Sequence, residues 1–396
     1  MQLEQALERI FNTTPIMGVE GVDLGSCCGR VAAGENPAIL PVPCYDQSSR
    51  DGYVLSGDGI PIGAGEQAFR ICGEIQAGPG VERSIVPGES YRIMTGGLIP
   101  RGADRVVPQE VCRVEGADVI VDQEVLVSPA KFICRGGSER AAGEALTKDG
   151  TLLDEIHAAR FAASGNHRVE VYKKPRVAFL CSGSELVIPG DMLQRGQKFS
   201  SNHYLLKLLI ERSGGIGCDY GVVADEPQRL EQLLREIVAA DVDMIISTGG
   251  VGPGKYDLFS TVLPALDADI RYRSLQVRPG RSTLFGTIGT RLYFGLPGPP
   301  SAVHIIFQEC VRPALRKMLG YHAWRNRQEW AVLNHEISLQ RSDVLCFREG
   351  VFALAESGLT VGFPDRFQTP NSLIILEPGI SSYARGDRVR ISLLEF

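Results

Sequence analysis

The sequence predicts a multidomain α/β-plus-β protein: a central three-layer α/β/α sheet domain, a β-rich domain inserted ahead of it, and a small C-terminal β domain. Three observations carry this. At 396 residues the chain is too long for one domain at about 100–200 residues each. From about Pro175 strand-like and helix-like segments alternate, which implies a parallel or mixed sheet covered on both faces. Before and after that block, short β-branched and aromatic runs alternate with Gly/Pro turns.

Near 1–36, Leu3, Ala6, Leu7 and Ile10 recur at helical spacing, and a second helical pattern runs through 154–163 and closes at Gly165. Residues 1–36 and 140–172 therefore read as one discontinuous helical or linker domain. Between them, 37–139 reads as the β-rich insertion, with strands near 68–72, 90–94, 105–107 and 118–121. In 173–322 the strand 177–180, helices 202–213 and 230–240, strand 242–247 and strand 292–295 follow in turn, ending in a helix through Leu319. Residues 323–396 return to strands. There is no internal repeat.

A hydrophobic share of 44% and a charged share of 22% describe an ordinary globular chain. The net charge of −6 argues against a nucleic-acid partner, while leaving room for a local basic site. No apolar run approaches about 20 residues, and the first residues open an amphipathic helix, so neither a membrane span nor a secretion signal is expected. The expected compartment is the cytoplasm. Ten dispersed cysteines form no C-x-x-C pair and six histidines no H-x-x-x-H pair, so buried reduced thiols are expected rather than structural zinc. Cys181, at the end of a strand, is the one nearest a ligand-binding edge.

The chemistry concentrates at four places. Ser247, Thr248, Gly249, Gly250 and Gly252 form a glycine-rich turn between a buried strand and a helix start, where backbone N–H groups and the helix N-terminus favour an oxyanion. Asp257 follows it; an Asp there also serves as a simple helix cap. Four arginines fall within 271–281, and in Arg278-Pro279-Gly280-Arg281 a turn separates two guanidiniums that can each grip a phosphate. If 271–278 is one extended strand, Arg271 and Arg273 face one way and Ser274, Gln276 and Arg278 the other. Glu185 and Asp225 each follow a strand end, so with Asp257 they are expected at one edge of the sheet, as hard oxygen ligands for Mg²⁺. Asp51 stands before Gly52 in the β-rich block, where a turn role competes with a functional one.

Six motifs in order then resemble the MoeA/gephyrin E-domain family of molybdopterin molybdenumtransferases. They are Asp51-Gly52-Tyr53; Ile93-Met94-Thr95-Gly96-Gly97 with Pro100-Arg101-Gly102-Ala103-Asp104 and Glu110; Ser182-Gly183-Ser184-Glu185-Leu186; Thr248-Gly249-Gly250-Val251-Gly252 with Asp257; Arg278-Pro279-Gly280-Arg281; and Gly295-Leu296-Pro297-Gly298. The resemblance implies a sheet domain of the molybdopterin-binding type, a barrel-like C-terminal domain, and an elongated homodimer whose sites are shared between subunits. It implies that molybdate (or tungstate) replaces AMP on adenylylated molybdopterin with Mg²⁺ assistance. Asp51, Thr95, Glu185, Asp225 and Asp257 match residues the family uses in catalysis, the last three as metal ligands. The glycine turn, Arg278, Arg281, Pro297 and Gly298 are implied as substrate-binding. A molybdopterin adenylyltransferase and apo-molybdoenzymes are implied as partners.

The chain also departs from the pattern. The family's R-x-x-G-E-D is Arg135-Gly136-Gly137-Ser138-Glu139-Arg140, a usual lysine is Ser274, a second is Arg278, and P-G-N-P is Pro297-Gly298-Pro299-Pro300. Arg140 is therefore expected to supply the oxyanion charge that Ser274 lacks. Two other functions stay open: a catalytically weakened paralogue that binds or delivers pterin nucleotide or finished cofactor, and a molybdopterin adenylyltransferase.

Overall fold

The computed structural model describes residues 1–56, 65–252, 258–356 and 358–394. Its centre is a six-stranded sheet in the spatial order Ile216–Val223, Arg176–Ser182, Met244–Thr248, Arg291–Leu296, Leu284–Ile288, Asp269–Tyr272. The first four strands are parallel and the last two antiparallel. Met244–Thr248 is buried at every position, as a strand covered on both faces must be. Along Arg176–Ser182, Val177 and Phe179 join one core with Leu206, Ile210 and Val303, whereas Ala178 and Leu180 join the opposite core with Leu230, Leu234 and Phe259. That alternation makes the three layers, with helices Ser201–Arg212 and Pro300–Ile306 on one side and Pro227–Ala239 and Leu258–Ala265 on the other.

The helix Leu3–Thr13 buries Leu3, Ala6, Leu7 and Ile10 in the first of those cores, together with sheet residues Val177 and Phe179. The rest of the predicted helical region differs from expectation: Val19–Asp23 pairs antiparallel with Arg168–Tyr172, and beside them lie the helix Glu155–Ala163 and a short 3₁₀ turn, Leu24–Ser26. Five residues with two exposed ends are too short for a periodic signal. The β-rich block forms its own six-stranded sheet, ordered Ala103–Pro108, Gly52–Ser56, Glu89–Ile93, Glu66–Ile75, Asp118–Asp122, Cys112–Glu115.

At the C-terminus Leu345–Ala355, Gly358–Gly362, Gln328–Leu333, Arg388–Leu393 and Ser372–Leu376 close into a five-stranded barrel, because the last strand pairs back to the first. Phe347, Leu373 and Ile375 leave the barrel interior and pack into the sheet-domain core. Val277–Arg278 adds to the edge of Leu345–Ala355. This second pairing explains why 271–278 is not one strand: the chain leaves the central sheet after Tyr272 and joins the barrel at Val277. The phase of the predicted alternation slips accordingly, so that Tyr272, Leu275 and Val277 are buried while Arg271, Arg273, Ser274, Gln276 and Arg278 are all exposed. The final helix continues from Pro300–Ile306 through a π-helical turn, Phe307–Val311, into Arg312–Met318.

Candidate functional site

The four parallel strands bring four motifs to one level, because Ser182 is in register with Val223, Cys181 with Thr248, and Thr248 with Leu296. Beyond those residues the chain turns into the Glu185 loop, the Asp225 loop, the glycine turn and the Pro297-Gly298 loop. Ligands of open α/β sheets bind outside this carboxyl edge.

The glycine turn is shaped by its sequence. Gly249 and Gly250 have φ of +87° and +64°, and a Cβ on Gly249 would lie 2.3 Å from the Ser182 carbonyl oxygen. Glycine is therefore required at 249 both for backbone sign and for space. The Gly249 N–H is taken, donating to Leu296 O at 3.3 Å, whereas among the described residues Gly250 and Gly252 N–H have no acceptor. This corrects the expectation that all three glycines offer donors. The side chains of Ser247 and Thr248 are also withdrawn: both residues are buried, and Ser247 Oγ is 2.6 Å from the Tyr293 hydroxyl inside the core. Asp257 lies outside the described residues.

Glu185 and Asp225 do reach the same edge. Ser184 Oγ accepts from Asp225 N at 3.0 Å, tying the two loops together. Burial of the Asp225 carboxyl raises its pKa, and the neighbouring Glu185 charge adds to the rise. Its Oδ1 is buried with no partner but the Ser182 hydroxyl, which stands beside it and beneath the glycine turn and offsets part of that rise. Burial also pushes the Glu185 carboxyl up, but its own backbone N–H and Lys198, 3.1 Å away, outweigh that and hold it low. A buried carboxylate repelled by a neighbouring charge and held by one hydroxyl is a place that fits a hard cation. Among the described residues no three His, Cys, Asp or Glu side chains gather for a metal, so Glu185 and Asp225 alone would be two of its ligands.

Arg278 and Arg281 flank the turn at Pro279-Gly280; both are exposed, and no carboxylate pairs with either among the described residues. Gly280 has φ +111° and packs so closely on Ile306 that a Cβ would lie 2.3 Å from its Cδ1. The arginine turn is thereby fastened to the helix that follows Pro297-Gly298. A cavity of about 490 Å³ opens beside it, between Pro279 and Ser301 on one side and Arg348, Glu349 and Phe363 of the barrel on the other. Sequence reasoning misses Arg348 because only the pairing of Val277–Arg278 with Leu345–Ala355 brings its strand to the arginine turn.

Asp51 and Thr95 are brought together, Thr95 donating through N and Oγ1 to Asp51 Oδ1, and these two bonds hold the Asp51 carboxyl below its ordinary range, with Arg92 adding to the effect. Both belong to the β-rich sheet, whose cores are separate from those of the central sheet. Among the described residues no hydrogen bond or ion pair links them to the glycine-turn edge.

Within one chain Arg140 and Ser274 have separate partners. Arg140 Nη1 donates to Glu144 Oε1 and to Ala145 O, both at 3.3 Å, and Ser274 O accepts from the N-terminal amine at 3.2 Å. All ten cysteines are free, but Cys28, Cys44 and Cys72 are exposed, contrary to the expectation of buried thiols. Burial pushes the Cys181 thiol up, away from the reactive thiolate.

Residues 1–165 match the MoeA N-terminal region (domain I and II), and 178–317 match a probable molybdopterin binding domain. A molybdopterin molybdenumtransferase of Nostoc sp. is 35% identical over 78% of this chain and 73% of its own length. One from Haemophilus influenzae is 27% identical over 99% of this chain and 98% of its own. Among solved structures, the molybdopterin biosynthesis MoeA protein of Pyrococcus horikoshii superposes with a TM-score of 0.87 at 25% identity, covering 100% of this chain and 99% of that one. The motifs at the sheet edge, the five-stranded barrel and these matches agree, and the chain belongs to the MoeA family of molybdopterin molybdenumtransferases.

Proposed function

We propose that this enzyme inserts molybdate into adenylylated molybdopterin and releases AMP in a Mg²⁺-assisted reaction. The observation that carries the reading is the buried Asp225 carboxylate at the same strand edge as Glu185 and the glycine turn, with Arg278 and Arg281 exposed and without a carboxylate partner among the described residues. Gly250 and Gly252 N–H groups with the two guanidiniums bind the substrate's pyrophosphate and orient it across the edge. Asp225 and Glu185, with Asp257, would hold Mg²⁺. When bound, that ion offsets the charge that builds up as the phosphoanhydride breaks. Lys198 keeps Glu185 ionised and in place.

Asp51 and Thr95 serve the site of a second copy of the chain. Thr95 occupies one oxygen of Asp51 and leaves the other for substrate or metal-bound water, and their separation from the sheet edge within one chain supports a homodimer with shared sites. The domain limits 1–36 with 140–172, 37–139, 173–322 and 323–396, and a cytoplasmic location, belong to the same reading; no described helix is long and apolar enough to cross a membrane.

A second reading, a weakened paralogue that binds and delivers pterin nucleotide or cofactor, is favoured by one observation: Ser274 carries no charge where the resemblance leads one to expect a lysine, and Arg140 within one chain pairs with Glu144. Chelation separates the two. With EDTA in place of Mg²⁺, the enzyme loses molybdate-dependent AMP release, whereas a delivery protein shows none under either condition.

A further inference from the structure

The helix Ser201–Arg212 starts at the same sheet edge, between two of the loops already described. Lys198 N donates to Glu185 O and Ser200 N to Val187 O, each at 2.9 Å, so residues 198–200 run along the Glu185 loop. On the other side Asn202 Nδ2 donates to Gly298 O at 2.7 Å. Below, the Cys181 thiol lies beside the hydroxyls of Ser200 and Thr248.

This helix start is left open. Ser200 is the N-cap residue, yet its side chain makes no capping bond. Among the described residues the backbone N–H groups of Ser201, Asn202 and His203 have no acceptor. Ser200 is 2% exposed and Asn202 8%, and nevertheless Asn202 Oδ1 has no hydrogen-bond partner and Ser200 Oγ none but the weakly bonding Cys181 thiol beneath it. The amide of Asn202 cannot be turned round to relieve this, because Gly298 O only accepts and so requires the NH₂ group. Unsatisfied buried polar atoms at a helix N-terminus are unfavourable unless a ligand completes them.

We propose that the helix start at Ser200–Asn202 is an oxyanion-binding position of this site. A tetrahedral oxyanion accepts from Ser200 Oγ and the first N–H groups of the helix, and Asn202 Oδ1 accepts from a proton-bearing group of the same ligand. Within the transferase reading, on which the choice of ligands rests, the oxyanion is either a phosphoryl group of the nucleotide-linked substrate or molybdate itself. The position is separate from the arginine turn and from the Gly250 and Gly252 donors, so the site has two anchoring points for its two anionic reactants.

The test is calorimetric titration of the full chain with AMP, inorganic phosphate and molybdate, for wild type, Ser200→Ala and Ser200→Asp. Ser200→Ala is expected to weaken binding about tenfold or more, the loss of one bond to a charged group. Ser200→Asp is expected to abolish it, because the carboxylate caps the helix and fills the place of the anion, while the melting temperature of the free protein stays at or above that of wild type. Loss confined to AMP and phosphate assigns the position to the nucleotide phosphoryl group, and loss confined to molybdate assigns it to the metal oxyanion. Unchanged titrations in both variants, or no uptake of any of the three by wild type, overturns the proposal. Binding is read without turnover, so a protein that binds through Ser200 but releases no AMP keeps this position and rejects the transferase reading.

Discussion

Thr95 presents two donors, its backbone N–H and its hydroxyl, to a single oxygen of Asp51, each at 2.7 Å. The bond fixes the Asp51 carboxylate while leaving its second oxygen unclaimed by Thr95. Gly96, at φ +81° with its N–H donating to Ser48 O, makes the turn that aims both donors. A serine at 95 keeps both donors and a valine keeps only the backbone one. Thr95→Ser is therefore expected to retain most activity and Thr95→Val to lose it in part, measured as kcat with KM little changed.

Shared sites predict complementation. Asp51→Ala and Asp225→Ala, each inactive alone, should regain about one quarter of wild-type activity when mixed and re-equilibrated, because half the dimers carry one intact site of two. A monomer by light scattering, or a mixture as inactive as its parts, would contradict the shared architecture.

Asp225 predicts a pH dependence. Its folded-state pKa is raised, so the stability linked to its protonated form is complete below the ordinary carboxyl value of about 3.9 and is lost as pH rises through the folded-state value. Asp225→Asn removes that loss. The variant should melt above wild type at pH 7 in the absence of metal, with the difference closing as pH falls toward 4. Added Mg²⁺ should raise the melting temperature of wild type and leave that of the variant unmoved.

The glycine turn separates strain from contact. Gly249→Ala is expected to destabilise the fold by about 1–3 kcal/mol, since it combines a positive φ with a clash against the Ser182 carbonyl. A Cβ on Gly252 would meet nothing within 4 Å among the described residues, so Gly252→Ala should leave denaturant midpoints unchanged. If Gly252→Ala nonetheless weakens substrate binding, the added methyl is meeting ligand.

The sheet edge was legible because its signals are local: an apolar run followed by glycines marks Met244–Thr248 and its turn, and an acidic residue after each of two more strands marks Glu185 and Asp225. What the sequence hid depends on distant pairing. The break between Tyr272 and Val277 follows from recruitment of Val277–Arg278 to the barrel, which no periodicity in 271–278 announces. Ser247 reads as part of the oxyanion turn, but one residue of strand still separates it from the edge, and Tyr293 claims its hydroxyl. For Arg140 the sequence offers only a comparison of charges, and its pairing with Glu144, four residues on, is a local contact that such a comparison does not consider.

Arg278 and Arg281 test the anion grip. Replacing either with alanine should raise KM for the pterin nucleotide about ten- to a hundredfold, the value of charge-assisted bonds to phosphate, with little change in stability because both side chains are exposed. Lysine should restore charge but not the bidentate geometry, and so only part of the affinity.

In the proposed reaction this sheet edge couples molybdate to release of AMP. Purified protein is incubated with adenylylated molybdopterin and Mg²⁺, and AMP is quantified by chromatography with and without molybdate, for wild type and Asp225→Ala. AMP release is expected to require molybdate in wild type and to be abolished in Asp225→Ala. Wild type that binds the pterin nucleotide but releases no AMP when molybdate is added would contradict it.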